Sequence, residues 1–403
     1  MTKNLNVAMV GQGFMGRSHS VAWGQVNRYF APSRKAVLHT VCGQEFENPQ
    51  AFANRWDWNH ASTDWENVVK NPEIGLVDVV TPNFMHAPVA KAALAAGKAC
   101  ACEKPVAGTL AEAREMAEAA QKAGIDTFVW FCYRRAPAVA LAYKLVHDGV
   151  IGEIRHIRAS YLQDWADESV PFAWRFKKEL AGSGAHGDLN AHIVDMTRFI
   201  SGLTVTEVSG AVAETFVKKR KILGPDSGGG IQMTDEQLRY AKTGSESVQY
   251  GDVTVDDAVA FIVRYDNGAI GTYEAARQAT GNLNANGFEI NGTKGSLKFN
   301  FEKMNVLTYY DATRPRAVQG WTEILCTHGG DHPYVANYWP DGHLIGYEHG
   351  FISMAYDILL QLDGQTPTVP LPDFEDAYQT QRVLEAALVA AERKSAVSLD
   401  EIR

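Results

Sequence analysis

The chain is predicted to be a two-domain α/β plus α+β protein, with an N-terminal doubly wound parallel sheet and a C-terminal domain on a large, mostly antiparallel sheet. Three observations predict this. Apolar runs of strand length alternate with helix-length segments up to about residue 129. A glycine-rich turn follows the first of those runs directly. Beyond them, longer strand candidates succeed one another with turn residues between them.

The first strand is Asn6-Val7-Ala8-Met9-Val10, and Gly11-Gln12-Gly13-Phe14-Met15-Gly16 leads from it into a helix. Strand patterns recur at 36–41, 76–80, 99–102 and 127–130. Between them, helices are predicted over 87–96, ending at Gly97, and over 110–123, ending at Gly124, where glycine suits a left-handed C-terminal cap. The first domain is accordingly assigned to 1–126 and the second to 127–403. In the second, strands are expected at 154–161, 204–213, 259–265, 269–275, 288–291 and 296–300. Hairpin turns are read at Asp266-Asn267-Gly268 and Asn291-Gly292-Thr293-Lys294-Gly295. The stretch 216–252 carries few strand signals and is expected to be an irregular loop or lid. A final helix over 374–394 has apolar residues on one side to pack back on the body.

Composition narrows the functional classes. With 46% hydrophobic and 21% charged residues in 403, the chain can bury two ordinary globular cores. The formal charge of −9 argues against a nucleic-acid partner, which needs a basic face. The short basic run Lys218-Lys219-Arg220-Lys221 is read as a solvated loop. Cys42, Cys100, Cys102, Cys132 and Cys326 lack Cys-x-x-Cys spacing, so neither a disulfide framework nor a metal site is expected. Strand pattern begins within a few residues of Met1, and no apolar run has the length of a membrane span. A cytoplasmic protein without membrane partners is expected.

A strand, a Gly-x-Gly-x-x-Gly turn and a helix form a dinucleotide-binding arrangement. Gly11, Gly13 and Gly16, with Phe14 and Met15, let backbone N–H groups and a helix N-terminus approach a pyrophosphate. After the second strand an acidic residue would take the adenosine ribose diol, but this chain has Gly43-Gln44-Glu45. Gln44 or Glu45 can reach the diol, and no arginine or lysine follows to hold a 2′-phosphate. NAD is therefore expected, with NADP the remaining choice. Thr81, Asn83 and His86 follow the strand at 76–80, on the carboxyl side where the nicotinamide half binds.

Oxidising an alcohol by hydride transfer needs a base for the hydroxyl proton and a group that stabilises charge on oxygen. Lys104, in Glu103-Lys104-Pro105, follows the strand at 99–102 and is the first candidate. In the segment from Gly182 to Asp195, the residues Asp188, His192 and Asp195 share one face at α-helical spacing. A carboxylate four residues from a histidine can orient its imidazole, so Asp188 and His192 are read as an acid/base dyad. The competing reading makes Asp188 a helix cap and His192 a core residue.

Several motifs in order along the chain resemble the Gfo/Idh/MocA oxidoreductase family. They are the glycine turn, Thr81-Pro82-Asn83 with His86, Ala96-Gly97-Lys98 before Glu103-Lys104-Pro105, Tyr133-Arg134-Arg135 with Pro137, and Gly187-Asp188 with His192 and Asp195. The resemblance implies that Lys104, Asp188 and His192 are the catalytic residues, with histidine accepting the proton. It also implies a cis peptide before Pro105, Glu103 and Arg134 at the cofactor, and Tyr133 at the substrate. Cys132 departs from the asparagine frequent at that place. His186 stands where an apolar residue is usual, and would add a titrating neighbour to the dyad.

A sugar presents apolar C–H faces and a ring of hydroxyls, which aromatic platforms and charged donors complement. Gln163-Asp164-Trp165, Trp174-Arg175-Phe176 and His332-Pro333-Tyr334 with Trp339 supply that inventory and resemble anhydrosugar-oxidising members of the family. Asp164, Trp165, Arg175 and Tyr334 are the expected substrate contacts. The activity implied is NAD(P)-dependent oxidation of a secondary ring hydroxyl of a pyranose or anhydrosugar, giving a 3-keto sugar. Alternatives are an inositol dehydrogenase, an NAD-dependent glycosidase working through transient oxidation, and a non-catalytic sugar-sensing regulator. The resemblance further implies a homodimer or homotetramer.

Overall fold

The computed structural model describes residues 3–223 and 249–403. Its first sheet has six parallel strands in the order β3-β2-β1-β4-β5-β6. These are β1 (Lys3–Val10), β2 (Arg34–Cys42), β3 (His60–Ser62), β4 (Leu76–Val79), β5 (Ala99–Cys102) and β6 (Thr127–Val129). The chain leaves β1 for β2 on one side and returns to β4 on the other. Strand order therefore reverses beside β1, and a crevice opens at the carboxyl ends, where such sheets bind ligands. Helices α1 (Phe14–Tyr29), α2 (Pro49–Trp56), α3 (Trp65–Lys70), α4 (His86–Ala95) and α5 (Leu110–Ala123) connect the strands.

Local chemistry sets the ends of α5 where the sequence placed them, while α4 lies one residue earlier than expected. Thr109 and Glu112 form a reciprocal capping box at the start of α5, and Gly124 ends it with φ 61°. The three-residue strand β3 is only partly buried, so it offers too short an apolar pattern to be read in advance.

The second sheet has nine strands in the order β16-β15-β14-β13-β7-β12-β11-β8-β17. Its core strands are β7 (Ile154–Leu162), β8 (Val205–Glu214), β11 (Ala258–Tyr265), β12 (Ile270–Ala276), β13 (Ala285–Gly292) and β14 (Gly295–Asn300). The edges are β15 (Val306–Asp311), β16 (Trp321–Leu325) and the short β17 (Val397–Ser398). Only β7 and β12 pair in parallel; every other neighbouring pair in this sheet is antiparallel. Along β11 the inward residues Val259, Phe261, Val263 and Tyr265 alternate with more exposed ones, as a sheet buried on one face requires. Helices α6 (Pro137–His147), α7 (Ala191–Ser201) and α9 (Phe374–Arg393) cover that face.

Three expectations are corrected here. Strands β15 and β16 extend the sheet past the last strand expected at 296–300; the mostly exposed sequence of β16 gives no alternation to read. The segment 216–252 is not wholly irregular: β9 (Lys219–Lys221) pairs antiparallel with β10 (Tyr250–Asp252), and the residues between 223 and 249 lie outside the described residues. Arg220 is no solvated charge. It is buried beneath the 166–170 turn, donating to the carbonyls of Ala166, Asp167 and Val170.

The parallel sheet also takes in β6, one strand past the boundary expected at 126, and the Val129 N–H donates to the Pro372 carbonyl at 2.8 Å. Helix α8 (Tyr347–Leu362) packs on α1. At that contact Phe30 stacks on Tyr356 at 4.3 Å and meets Tyr334 and Tyr338 edge-on. No described helix is long and apolar enough to cross a membrane.

Candidate active site

At the crevice the glycine turn forms an open cradle. Gly11 has φ 109°, and a Cβ there would lie 2.6 Å from the Val80 carbonyl oxygen. A Cβ on Gly13 would meet nothing within 4 Å. Gly13 also caps α1 without any side-chain bond to the first-turn N–H groups, which leaves them for an anion. A Cβ on Gly16 would lie 3.2 Å from the Gly11 carbonyl oxygen, so the helix starts close against the strand. Phe14 is partly exposed and stacks on Tyr347 at 6.3 Å, beside Met15. Gln44 is exposed, its N–H bound to the Glu47 carboxylate at 2.9 Å, and Thr81 Oγ1 is buried with no partner among the described residues. These features fit a dinucleotide pyrophosphate. Gly13→Ala is expected to weaken NAD binding about tenfold or more without changing Tm, since its methyl meets only the ligand's space. Gly11→Ala is expected to lower both, and titration by quenching of tryptophan fluorescence alongside thermal melts separates the two effects.

Several expected cofactor residues make bonds within the protein. Asn83 donates to the Ala181 carbonyl at 2.9 Å, tying the turn after β4 to the second domain. His86 is buried with Nδ1 on the Pro105 carbonyl and Nε2 on the Thr81 carbonyl, 2.9 Å each, and burial pushes its pKa down. It braces the turn that carries the cis Lys104–Pro105 peptide. Glu103 is turned inward, with Oε1 3.0 Å from His19 Nε2 and Oε2 accepting the Lys104 N–H at 3.0 Å. Arg134 is also buried away from the cradle. It holds Asp195 with two donors, binds Asp376, and lies 4.9 Å over Phe199. A guanidinium so fully engaged is an internal staple, and Asp195 is thereby removed from any acid/base face.

Charged groups from four segments converge here. Lys104 Nζ donates to the Asp188 carbonyl and to Oδ1, 2.9 Å each. Asp188 Oδ2 accepts from Arg277 Nη2 at 3.0 Å and lies 4.0 Å from Arg175 Nη1. Burial alone would raise the Asp188 pKa; the surrounding Lys104, Arg277 and Arg175 charges hold it well below the usual carboxylate range instead.

His192 stands beside this cluster, packed on Tyr133 at 4.5 Å and Tyr161 at 5.9 Å. Its Nδ1 is buried without a partner among the described residues, which leaves Nε2 as the accessible nitrogen. Burial, reinforced by the Lys104 ammonium, holds its pKa well below the usual histidine value, so the ring is neutral. The expected Asp188–His192 hydrogen bond is absent. Residues His186–Asn190 form a π-helical turn before α7, and its wider spacing takes Asp188 off the face it would share with His192 in an α-helix. Nor does His186 join the site. It is fully buried, facing the Leu384 carbonyl and Asn190, with its pKa pushed down by burial.

A polar chain runs along the adjoining wall. Tyr133 and Tyr161 hydroxyls meet at 3.0 Å, and Asn284 Oδ1 accepts from Tyr161 at 2.7 Å and from Gln163 at 2.9 Å. Trp165 Nε1 donates to Gln163 at 2.9 Å while its ring lies 5.4 Å from the Arg277 guanidinium. Asp164 holds the Gly281 N–H, and Arg175 lies 4.6 Å over Trp174. Tyr334 is corrected: it is fully buried in the interdomain core, its hydroxyl 2.5 Å from Asp357. Trp339 is half-exposed beside Tyr29, in the same interdomain region. The sequence reading missed Arg277, Tyr161 and Asn284, which come from sheet strands and their ends and carry no motif.

Residues 5–131 match the family model of an oxidoreductase family with an NAD-binding Rossmann fold, and residues 139–298 match the GFO/IDH/MocA C-terminal domain. The chain belongs to the Gfo/Idh/MocA family. It is 37% identical to levoglucosan dehydrogenase of Pseudarthrobacter phenanthrenivorans, over 99% of each chain. An oxidoreductase domain protein from Kribbella flavida, 45% identical, superposes with a TM-score of 0.88 over 98% of this chain and 99% of that one. A levoglucosan dehydrogenase in complex with NADH and levoglucosan, 35% identical, superposes with the same score over 98% of this chain and 100% of that one. As a Gfo/Idh/MocA member this protein is an NAD(P)-dependent oxidoreductase, with NAD the cofactor its Rossmann domain takes. A bound nicotinamide supplies the hydride acceptor for such an oxidoreductase.

Proposed function

We propose that the enzyme oxidises a secondary ring hydroxyl of a pyranose or anhydrosugar, levoglucosan-like or glucoside-like, at C3 to the ketone. The observation that carries this reading is a neutral histidine beside a carboxylate ringed by three cations, Lys104, Arg175 and Arg277. Lys104 Nζ donates to the substrate oxygen and stabilises the charge that develops there. His192 Nε2 takes the hydroxyl proton, its neutral form being kept ready by burial. Asp188 holds the ammonium in place. Tyr133, Tyr161, Gln163 and Asn284 offer hydroxyl-matching donors and acceptors on the wall, and Trp165 and Trp174 offer apolar faces for ring C–H groups. Similarity to levoglucosan dehydrogenase over the whole chain supports the same substrate class. Exposed Val212, Ile262 and Ile270 on the outer face of the second sheet support assembly as a homodimer or homotetramer.

The test is nicotinamide absorbance with NAD over levoglucosan, glucosides, glucose and inositols, with the product carbon fixed by NMR. NADH formed with a pyranose or anhydrosugar, and a carbonyl at C3, are expected; turnover of inositols alone, or a carbonyl elsewhere, overturns the assignment. Since His192 is held neutral, log kcat/KM for oxidation is expected to stay flat as pH falls through 6.5 and to drop only well below it. A limb at the ordinary histidine value would remove His192 as the base.

A further inference from the structure

We propose that His19 is a positioning residue, an imidazolium clamped between Asp78 and Glu103 that ties the dinucleotide-binding helix α1 to the backbone of Lys104. His19 lies three residues past Gly16 and is fully buried. Its Nδ1 is 2.9 Å from Asp78 Oδ2 and its Nε2 is 3.0 Å from Glu103 Oε1. Ionised carboxylates only accept, so both ring nitrogens must donate, which only the imidazolium can do. The carboxylates are themselves fixed. Asp78 accepts from Trp23 Nε1 at 2.7 Å and from Trp130 Nε1 at 2.8 Å, and Glu103 Oε2 accepts the Lys104 N–H. A continuous path therefore runs from α1 through the ring and Glu103 to the residue whose Nζ reaches Asp188.

The groups around the ring agree with this charge state. Trp23 comes from α1, Asp78 from β4, Glu103 from the end of β5, Trp130 from the end of β6, and Phe351 from α8, 5.5 Å away. The thiols of Cys100 and Cys102 on β5 are pushed up by burial and stay neutral, so the two carboxylates are the charges that face the ring. Burial opposes protonation, yet Asp78 and Glu103 outweigh it and raise the His19 pKa to about 9. A purely structural ion pair would stabilise the fold without setting turnover. The bond from Glu103 to the Lys104 N–H gives the clamp a second effect, on the aim of the lysine.

The test has one arm that needs no substrate and one, resting on the proposed dehydrogenase activity, that does. In ¹⁵N-histidine spectra the signal that disappears in His19→Gln is expected to show both ring nitrogens protonated at pH 7 and to titrate near 9. A neutral tautomer at pH 7 overturns the proposal, whether or not any sugar is turned over. In steady state, His19→Gln is expected to lose roughly 10- to 100-fold in kcat, as a small misplacement of a reacting group does, with KM for sugar and Kd for NAD within about threefold. Its activity should no longer decline as pH rises through 9. Trp58→Phe removes the Trp58 Nε1–Ser20 Oγ bond, 2.9 Å, from the same helix, and should lower Tm while leaving kcat within about twofold. An unchanged kcat in His19→Gln, or an equal fall in Trp58→Phe, overturns the positioning role. Should His19→Gln not fold, Glu103→Gln is measured in its place, and an unchanged kcat there has the same meaning. A wild type silent toward every sugar defeats the dehydrogenase assignment alone and leaves the spectrum to decide on the clamp.

Discussion

Lys104→Ala should reduce turnover by roughly a thousandfold or more, with NAD affinity within about twofold of the wild type. The lysine is the group whose ammonium can meet a developing alkoxide, and loss of one such donor in a water-poor site costs about 10² to 10³ in kcat. Two further effects add to this. Without the ammonium, the Asp188 carboxylate next to the substrate oxygen is offset by Arg277 and Arg175 alone, and the His192 proton acceptor loses the cation that reinforces burial in keeping it neutral. The fold should survive, because Asp188 keeps Arg277 and the nearby Arg175 as counter-charges. Single-turnover absorbance with saturating NAD checks the rate, and a thermal melt checks the fold. Turnover reduced less than tenfold in the folded variant would remove Lys104 from the chemistry. Lys104→Arg should not rescue, since a planar fork cannot occupy the position of a compact ammonium bonded to both the backbone and side chain of Asp188.

The second large effect concerns stability. Arg134→Met should destabilise the protein by about 3–5 kcal/mol, the range for breaking a buried ion pair from one side. Asp195 is buried, and Arg134 is its hydrogen-bonding partner among the described residues; Asp376 retains Arg198 at 2.9 Å. The cost is thus concentrated on one stranded carboxylate. Urea unfolding measures it, and NAD titration of the folded variant should give the wild-type affinity. The reverse pattern, weakened NAD binding with unchanged stability, would return Arg134 to the cofactor site.

Much of this was legible in the sequence because the relevant signals are local. The strand, glycine turn and helix at 6–16 announce their geometry through periodicity and φ demands, and α5 declares its end by Gly124. Lys104, Asp188 and His192 do converge, as expected from their motifs. The misassignments arose where partners lie far apart in the chain. Arg134 stands 61 residues from Asp195 and 242 from Asp376, and Tyr334 is 23 from Asp357, so no spacing rule reveals that these polar groups serve one another. His19 was passed over for the same reason, its carboxylates lying 59 and 84 residues away. The lack of an Asp188–His192 hydrogen bond has a subtler cause: a single π turn, invisible to a 3.6-residue period, displaces Asp188 while leaving His192 in place.

The bond between Val129 and Pro372 bears on module exchange. Strand β6 is the last of its sheet, and residues 372–374 lie along it, with the Phe374 N–H also bound to Thr127 Oγ1 at 3.2 Å. A recombinant chimera joined near residue 130 would carry the nucleotide-binding half away from the distant segment that shields its outer edge. The transplanted half would then present an open row of backbone donors and acceptors to other chains. Grafting this half onto a new substrate domain therefore calls for moving two pieces of sequence together, the first 130 or so residues and the stretch around Pro372.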